Sequence, residues 1–452
     1  MKKYDDTIIG FGKGGKTLAG YLAKKGEKVA IIEKSNKMYG GTCINVGCIP
    51  SKSLVKNASK TAQMGDISFE EKCDLYHKAI LEKRNLTEML RGKNYAKLND
   101  LDNVDVINAK ASFEDKNVIK ITYEDGEELL SADKIYINTG STSVVPKIEG
   151  VENNPYVYFS DTLMDLDTLP KRLIIIGGGY IGLEFASMYA NFGSSVTVIQ
   201  DGDKFIPRED EDIANEIKSL LENQGIEIKL GAKIKKFSED GIVSYSQKGK
   251  EFNDKADAIL VATGRRANTD ELNLEAAGVE MNRRDGIVVD DNLRTSNENI
   301  WAMGDVNGGL QFTYVSLDDY RIIVSGLENE NKYNLSKREN VPYSVFMNTP
   351  LSRVGLNERE ALEQGYDIRV LKLPVGSIPK AQVLKKPYGV LKAIIDKKTN
   401  KILGTMLLCE ESYEMINIVK LAMDLGADYT TLKNQVFTHP TMSEALNDLF
   451  SL

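Results

Sequence analysis

Thr7-Ile8-Ile9-Gly10-Phe11-Gly12-Lys13-Gly14-Gly15 is an apolar run that breaks into glycines at G-x-G-x-x-G spacing. Beyond it Leu18, Ala19, Leu22 and Ala23 recur at helical intervals, which predicts a helix over roughly 16–25. Val29-Ala30-Ile31-Ile32 then reads as a second strand ending on Glu33, with Lys34 beside it. Gly10, Gly12 and Gly15 permit a tight turn and close approach of a pyrophosphate to the helix N-terminus, where free N–H groups and the helix dipole attract an anion. Glu33 stands where a carboxylate accepts from ribose hydroxyls. A glycine turn that merely packs helix on strand is the alternative; the register of strand, turn, helix and acid favours a dinucleotide site.

The unit recurs about 165 residues later. Leu173-Ile174-Ile175-Ile176 is the strand, Gly177, Gly179 and Gly182 space the turn, and Val196-Thr197-Val198-Ile199 ends at Gln200. Each unit is followed by an apolar strand ending in Thr-Gly, at Thr139-Gly140 and at Thr263-Gly264, the latter followed by Arg265. This is a duplication at domain scale, too long for a solenoid repeat. Two such sites imply two dinucleotides, most simply a flavin and a nicotinamide. Gln200 has no carboxylate to repel a 2′-phosphate and no neighbouring arginine to bind one, so NADH and NADPH both stay open. Residues 69–101 read helical, residues 104–124 alternate like strands, and a new texture of strands begins near Val341, with a helix over 412–425.

Composition narrows the class. The chain has 452 residues, 42% apolar and 27% charged, enough for about three domains at ~150 residues each. The net charge is −8, which argues against nucleic acid or an anionic membrane as partner. No apolar run reaches the ~18–20 residues of a membrane span, and the acidic pair Asp5-Asp6 spoils a signal sequence; the expectation is a cytoplasmic protein. Four cysteines and two histidines leave little for a metal centre.

Two of those cysteines lie five residues apart in Gly40-Gly41-Thr42-Cys43-Ile44-Asn45-Val46-Gly47-Cys48-Ile49-Pro50-Ser51-Lys52. In a regular helix that spacing separates Cα atoms by ~8–9 Å, beyond the ~7 Å limit for a disulfide. If Cys43 and Cys48 pair, the helix must be interrupted between them. Gly47 supplies the freedom, and Pro50 suits the first turn of a helix starting near Cys48. Cys48 would then sit at a helix N-terminus, where the dipole favours a thiolate. Packed core cysteines or half a zinc site are the bland readings; zinc would need a second close pair, and none exists. Cys73 and Cys409 read as packed small hydrophobes, and His77 as a surface residue. Near the end, His439-Pro440-Thr441-Met442-Ser443-Glu444 sets a carboxylate within reach of an imidazole. A dithiol couple needs such a proton donor for its leaving thiolate.

Over essentially the whole chain these motifs resemble the class I pyridine nucleotide–disulfide oxidoreductases. The resemblance implies an α/β fold of two Rossmann-like dinucleotide-binding domains and a C-terminal α+β interface domain. It divides the chain into FAD-binding residues 1–149, NAD(P)H-binding residues 150–268, a second FAD piece over 269–338, and a dimerisation domain over 339–452. It implies a homodimer with a shared active site, FAD and NAD(P)H as cofactors, and no metal. Gly41, Thr42, Thr139, Gly140, Gly304 and Asp305 would hold FAD, Asp305 through the ribityl chain. Gln311, Phe312 and Thr313 would join them. Lys52, paired with Glu184, would lie near the flavin. Gly177, Gly179, Ile181, Gly182, Gln200, Gly264 and Arg265 would serve the nicotinamide side, with Tyr180 as an aromatic gate. Cys48 would be the flavin-proximal sulfur, Cys43 the thiol that meets substrate, and His439 with Glu444 would act across the dimer interface.

The chain ends Asn447-Asp448-Leu449-Phe450-Ser451-Leu452 without cysteine, unlike mercuric reductase. Phe437 stands where dihydrolipoamide dehydrogenase usually has a second histidine. Residues 308–321, 340–355 and 439–452 resemble the bacterial reactive-chlorine-resistance branch. That branch implies a small electrophilic oxidant, hypothiocyanous acid foremost. Copper(II) or mercuric reduction and lipoamide chemistry are the alternatives, and a flavin redox sensor is the non-enzyme one.

Overall fold

A computed structural model describes residues 1–328 and 332–452. Three larger sheets organise the described chain, beside a three-stranded and a two-stranded one. The first has seven strands and is built around Lys2–Ile9, which pairs in parallel with Val29–Glu33 on one side and Glu127–Ile137 on the other. Val104–Asn108 extends the parallel edge, while Val118–Thr122 and Lys110–Asp115 continue antiparallel from Glu127–Ile137. Ile300–Ala302 returns from far along the chain to pair with Ile135–Ile137. That return carries Gly304 and Asp305 to the end of the first sheet.

The second sheet repeats the parallel core. Its order is Glu227–Lys229, Ser195–Ile199, Arg172–Ile176, Ala258–Val261 and Val157–Tyr158. Central strands such as Val29–Ile32 and Leu173–Ile176 are buried along their length, as expected where helices cover both faces of a parallel sheet. A three-stranded antiparallel meander, Ala232–Phe237, Ile242–Gln247 and Lys250–Lys255, is inserted before the last parallel pairing. The third sheet is antiparallel, in the order Tyr343–Val345, Leu351–Gly355, Ile402–Leu408, Val390–Asp396 and Ile368–Pro374. Helix Ser412–Asp424 packs its Met415, Ile416 and Val419 into that sheet's core.

The long segment after the cysteines forms helix Phe69–Asn99. It starts where Ser68 and Glu71 exchange side-chain and backbone hydrogen bonds, a capping box that satisfies two end donors. His77 is exposed on it. Cys73 lies half-buried there, and Cys409 is fully buried with Sγ 3.8 Å from Met415 Sδ. Both sit as packed side chains.

The units are tied by charge as well as by apolar contact. Lys392, on a strand of the third sheet, is 0% exposed and meets Asp210 and Glu358 at 2.8 Å and Asp212 at 3.0 Å. Asp210 and Asp212 belong to the second unit. Removing one partner of a buried ion set leaves uncompensated charge and costs about 3–5 kcal/mol. Lys392→Ala should therefore lower the urea midpoint by a loss of about that size with the slope unchanged, as measured by equilibrium unfolding.

Candidate active site

The first glycine turn is closed by a residue the sequence reading did not single out. Asn138 ends the strand before Thr139-Gly140. Its Oδ1 accepts from the Gly15 N–H at 2.9 Å, and its Nδ2 donates to the Met303 carbonyl at 2.7 Å. A Cβ on Gly10 would lie 2.4 Å from the Asn138 carbonyl oxygen, and Gly10 has φ +104°, so only glycine fits. One on Gly12 would lie 2.4 Å from Asn138 Oδ1. The Gly14 N–H is also bonded, to Ser316 Oγ at 3.2 Å. Two of the first-turn donors expected to face an anion are thus spent inside the protein. A polar side chain at the end of the apolar strand Ile135–Ile137 was the available signal for Asn138.

Glu33 turns back onto the glycine loop and accepts from the Phe11 N–H at 3.1 Å. Burial raises its pKa. Lys34 points away, to Glu271 at 2.9 Å. Gly41, with φ +77°, packs so that a Cβ would meet Gly12 Cα at 2.8 Å, and it caps the short helix Thr42–Asn45. Thr139 Oγ1 donates to the Asn268 carbonyl at 2.8 Å, while Gly140 has φ +74° and open space beyond it. Asp305 accepts from Ser141 Oγ at 2.6 Å, and Arg265 donates to the same oxygen at 3.0 Å. Burial raises the Asp305 pKa against the pull of Ser141 and Arg265. Asp319 accepts from the Gly304 N–H at 2.6 Å and is bound by Arg338. That pair was also invisible to sequence reading.

The second turn is more open. A Cβ on Gly177 would lie 2.5 Å from the Ala262 carbonyl oxygen, the counterpart of the Gly10–Asn138 approach, and one on Gly182 would lie 2.1 Å from the Gly177 carbonyl oxygen. Gly179 has nothing within 4 Å of its missing Cβ. The protein itself gives no packing reason for glycine at 179, whereas a ligand lying against the turn does. Among the described residues the N–H groups of Tyr180, Ile181 and Gly182 carry no side-chain hydrogen bond of the kind seen on the first turn. Ile181 is exposed. Gln200 donates from Nε2 to the Lys204 carbonyl at 2.7 Å. Gly264, with φ +127°, stands beyond the Ala258–Val261 strand.

The cysteine segment is interrupted as its spacing demands. Thr42–Asn45 forms one turn, Val46 and Gly47 leave helical geometry, and Cys48–Ala62 starts a new helix with Pro50 in its first turn. A Cβ on Gly47 would lie 2.9 Å from the Thr42 carbonyl oxygen. Arg91 of the long helix holds the segment by donating to Asn45 Oδ1 at 2.9 Å, and Asn94 of the same helix accepts from Lys16. Both cysteines are free thiols on adjoining helical turns, and each shifts the other's ionisation. The hydrogen bond from Cys48 pulls the Cys43 thiol down to about 6, with Thr313, Lys16 and Lys52 assisting against burial. Cys48, the donor, is pushed up by that hydrogen bond and by burial. Thr313 Oγ1 is 3.7 Å from Cys48 Sγ, and Phe312 stacks on Tyr314 with ring centroids 5.1 Å apart. Gln311 is exposed just ahead of them.

Lys52, one turn after Cys48, meets Glu184 at 2.7 Å across the units. Its ammonium also lies 4.6 Å from the centre of the Phe346 ring. His439 Nδ1 and Glu444 Oε2 are 2.9 Å apart, and Glu444 Oε1 accepts from the Thr441 N–H at 3.2 Å. The His439 contact lowers the Glu444 pKa. His439 is 72% exposed and is not among the groups that shift the Cys43 thiol. The structure thus brings Cys43, Cys48, Lys52, Glu184 and Thr313 together, and His439 with Glu444 separately.

Two glycine turns of the dinucleotide-binding kind beside a pair of neighbouring cysteines are the parts a pyridine-nucleotide-driven thiol oxidoreductase needs. The chain belongs to the pyridine nucleotide-disulphide oxidoreductases: the family model matches residues 4–319, and the family's dimerisation domain matches residues 341–450. It is 50% identical, over the full length of both chains, to the Escherichia coli protein described as probable pyridine nucleotide-disulfide oxidoreductase RclA. It is 35% identical to mercuric reductase of Lysinibacillus sphaericus, over 98% of this chain and 81% of that one. A solved structure described as the Cu(II) complex of HOCl-induced flavoprotein disulfide reductase RclA from Escherichia coli superposes with a TM-score of 0.94, covering 100% of this chain and 99% of that one. The chain is therefore an oxidoreductase of the flavoprotein disulfide reductase class, and the family's cofactors are FAD and NAD(P)H. The residues fit both. The buried Glu33 and Asp305 carboxylates and the open space at Gly140 suit FAD, and the unfilled Cβ position of Gly179 suits the pyridine nucleotide. No helix among the described residues is long and apolar enough to cross a membrane.

Gly179→Ala should leave stability within about 0.5 kcal/mol yet weaken NAD(P)⁺ binding, whereas Gly182→Ala should cost about 1–3 kcal/mol by overpacking. Thermal unfolding and nucleotide titration separate the two. In the dithiothreitol-reduced protein, alkylation of Cys43 by iodoacetamide needs the thiolate. Its rate should rise with pH through a midpoint of about 6, and Cys48→Ala should move that midpoint upward by removing the hydrogen-bond donor.

Proposed function

We propose that this protein reduces a small electrophilic oxidant, hypothiocyanous acid foremost, with electrons from NAD(P)H, as part of defence against reactive chlorine. The observation that carries the reading is the Cys43–Cys48 pair, two free thiols on adjoining helical turns beside Thr313 and the Lys52–Glu184 ion pair. The similarity to a protein described as HOCl-induced supports the stress role. FAD bound between Glu33, Asp305 and Lys52 supplies the two-electron link from NAD(P)H to the cysteine disulfide. The first unit with its returning segment (1–149 and 269–338) binds it, residues 150–268 bind NAD(P)H, and residues 339–452 form the dimer contact.

Lys52, fixed by Glu184, orients the cationic side of the flavin pocket. Arg265 and Ser141 hold Asp305 for the ribityl chain. The Cys43 thiolate attacks the sulfur of hypothiocyanous acid, so that an S–S bond forms and the S–O bond breaks. Hydroxide leaves and takes up a proton from His439 of the partner subunit, whose imidazole Glu444 orients. Cys48 then attacks the Cys43 sulfur and expels thiocyanate, and its own proton restores the imidazolium. The sum is the Cys43 thiolate, the Cys48 thiol and hypothiocyanous acid giving disulfide, thiocyanate and water. A small oxidant needs no large cleft, and the chemistry suits a cytoplasmic homodimer.

A second reading takes copper(II) as acceptor, favoured by the similarity to a protein solved as a Cu(II) complex. Soft thiolates suit copper chemistry. Steady-state kcat/KM for hypothiocyanous acid, Cu(II), Hg(II), lipoamide and oxidised glutathione, each with NADH and NADPH, chooses between the readings; hypothiocyanous acid should rank first. Cys43→Ser should keep its flavin and accept electrons from NAD(P)H but lose hypothiocyanous acid reduction. Full activity in that variant would overturn the mechanism.

A further inference from the structure

We propose that Glu209 is a positioning residue that latches the Tyr180 ring across the path by which a nicotinamide reaches the redox pair. Tyr180 opens helix Tyr180–Phe192 directly after Gly179. It shares a helix face with Glu184, one turn on. Glu184 binds Lys52 of the cysteine helix, so the ring lies on the side of the second unit that faces the dithiol.

The hydroxyl of Tyr180 donates to Glu209 Oε1 and lies 3.2 Å from the Tyr343 hydroxyl. Tyr343 donates to the same carboxylate oxygen. The two rings stack with centroids 5.4 Å apart and planes at 28°. Tyr343 stacks in turn on Phe312, at 6.4 Å, next to the Thr313 hydroxyl beside Cys48. The Glu209 side chain is 0% exposed, and Arg353 faces its other oxygen at 3.6 Å. That oxygen has no hydrogen-bond partner among the described residues.

This is a costly way to pack two tyrosines. A buried carboxylate loses its hydration, and here one oxygen receives both phenols while the other pairs with Arg353 at 3.6 Å and receives no hydrogen bond among the described residues. The chain holds the carboxylate in place through strained backbone: Ile206, which accepts from the Glu209 N–H at 3.0 Å, has φ +41°, unfavourable for a β-branched residue. The arrangement makes sense if the Tyr180 hydroxyl must be held in one position and released from it. A nicotinamide entering from the Gly179 turn has to swing the ring aside. That motion breaks the hydrogen bond to Glu209 and the stack on Tyr343, so the latch opposes nucleotide binding and covers the path when no nucleotide is present. The inference rests on the reading of the second turn as the pyridine-nucleotide site with Tyr180 at its mouth.

The test is calorimetric titration of the oxidised holoenzyme with NAD⁺ and with NADP⁺, which involves no turnover. Wild type is compared with Tyr180→Phe, Glu209→Gln and the double variant. Both single variants keep the ring; Tyr180→Phe should bind its preferred nucleotide about tenfold more tightly, the scale of one net hydrogen bond, and Glu209→Gln, whose amide oxygen still accepts but without charge, should tighten binding by a smaller factor. The double variant should bind no more tightly than Tyr180→Phe, because no bond is left for Glu209→Gln to weaken. Unchanged or weaker binding by Tyr180→Phe overturns the latch, as do additive effects in the double variant. If Glu209→Gln does not fold, Tyr180→Phe decides alone. Wild-type protein that binds neither nucleotide overturns the reading of the site itself, a result distinct from failure of the latch.

Discussion

Glu184 accepts from Lys52 at 2.7 Å on one oxygen and from the backbone N–H of Phe346 at 2.8 Å on the other. Those three residues come from three different sheet units, so one carboxylate on the second unit fixes the cysteine helix of the first and the leading strand of the third. Its side chain is 13% exposed, sheltered enough for charge-assisted hydrogen bonds to hold their geometry. The Phe346 ring beneath the Lys52 ammonium adds a cation–π contact. Placement of the redox pair relative to both nucleotide cradles depends on this junction.

The duplicated units solve one problem with different emphasis. Both need glycine where the loop passes the end of a neighbouring strand, at Gly10 under Asn138 and at Gly177 under Ala262. The first turn is then braced from within by Asn138 and Ser316, while the second is left bare at Gly179. A braced cradle suits a group that stays, and a bare one suits a group that comes and goes.

Short-range features were the legible ones. The glycine spacing, the helix over residues 69–101, the break at Gly47 that a cysteine pair would require and the proximity of His439 to Glu444 all follow from residues a few positions apart. The pairing of Lys52 with Glu184, 132 residues away, was reachable only through the resemblance. Asn138, the Asp319–Arg338 pair and the Glu209–Tyr343 contact were missed because each depends on chain segments that meet only in the folded sheets.

The break between Thr42–Asn45 and Cys48–Ala62 has a protective consequence. Each cysteine is anchored to its own helical turn, so neither thiol sits on a loop free to swing away from the other. The effective concentration of the second thiol beside any adduct on the first is therefore high. An oxidised Cys43 would be captured by its neighbour before a second oxidant reached it, and the climb to sulfinic and sulfonic acids, which thiols cannot reverse, would be cut off by geometry alone.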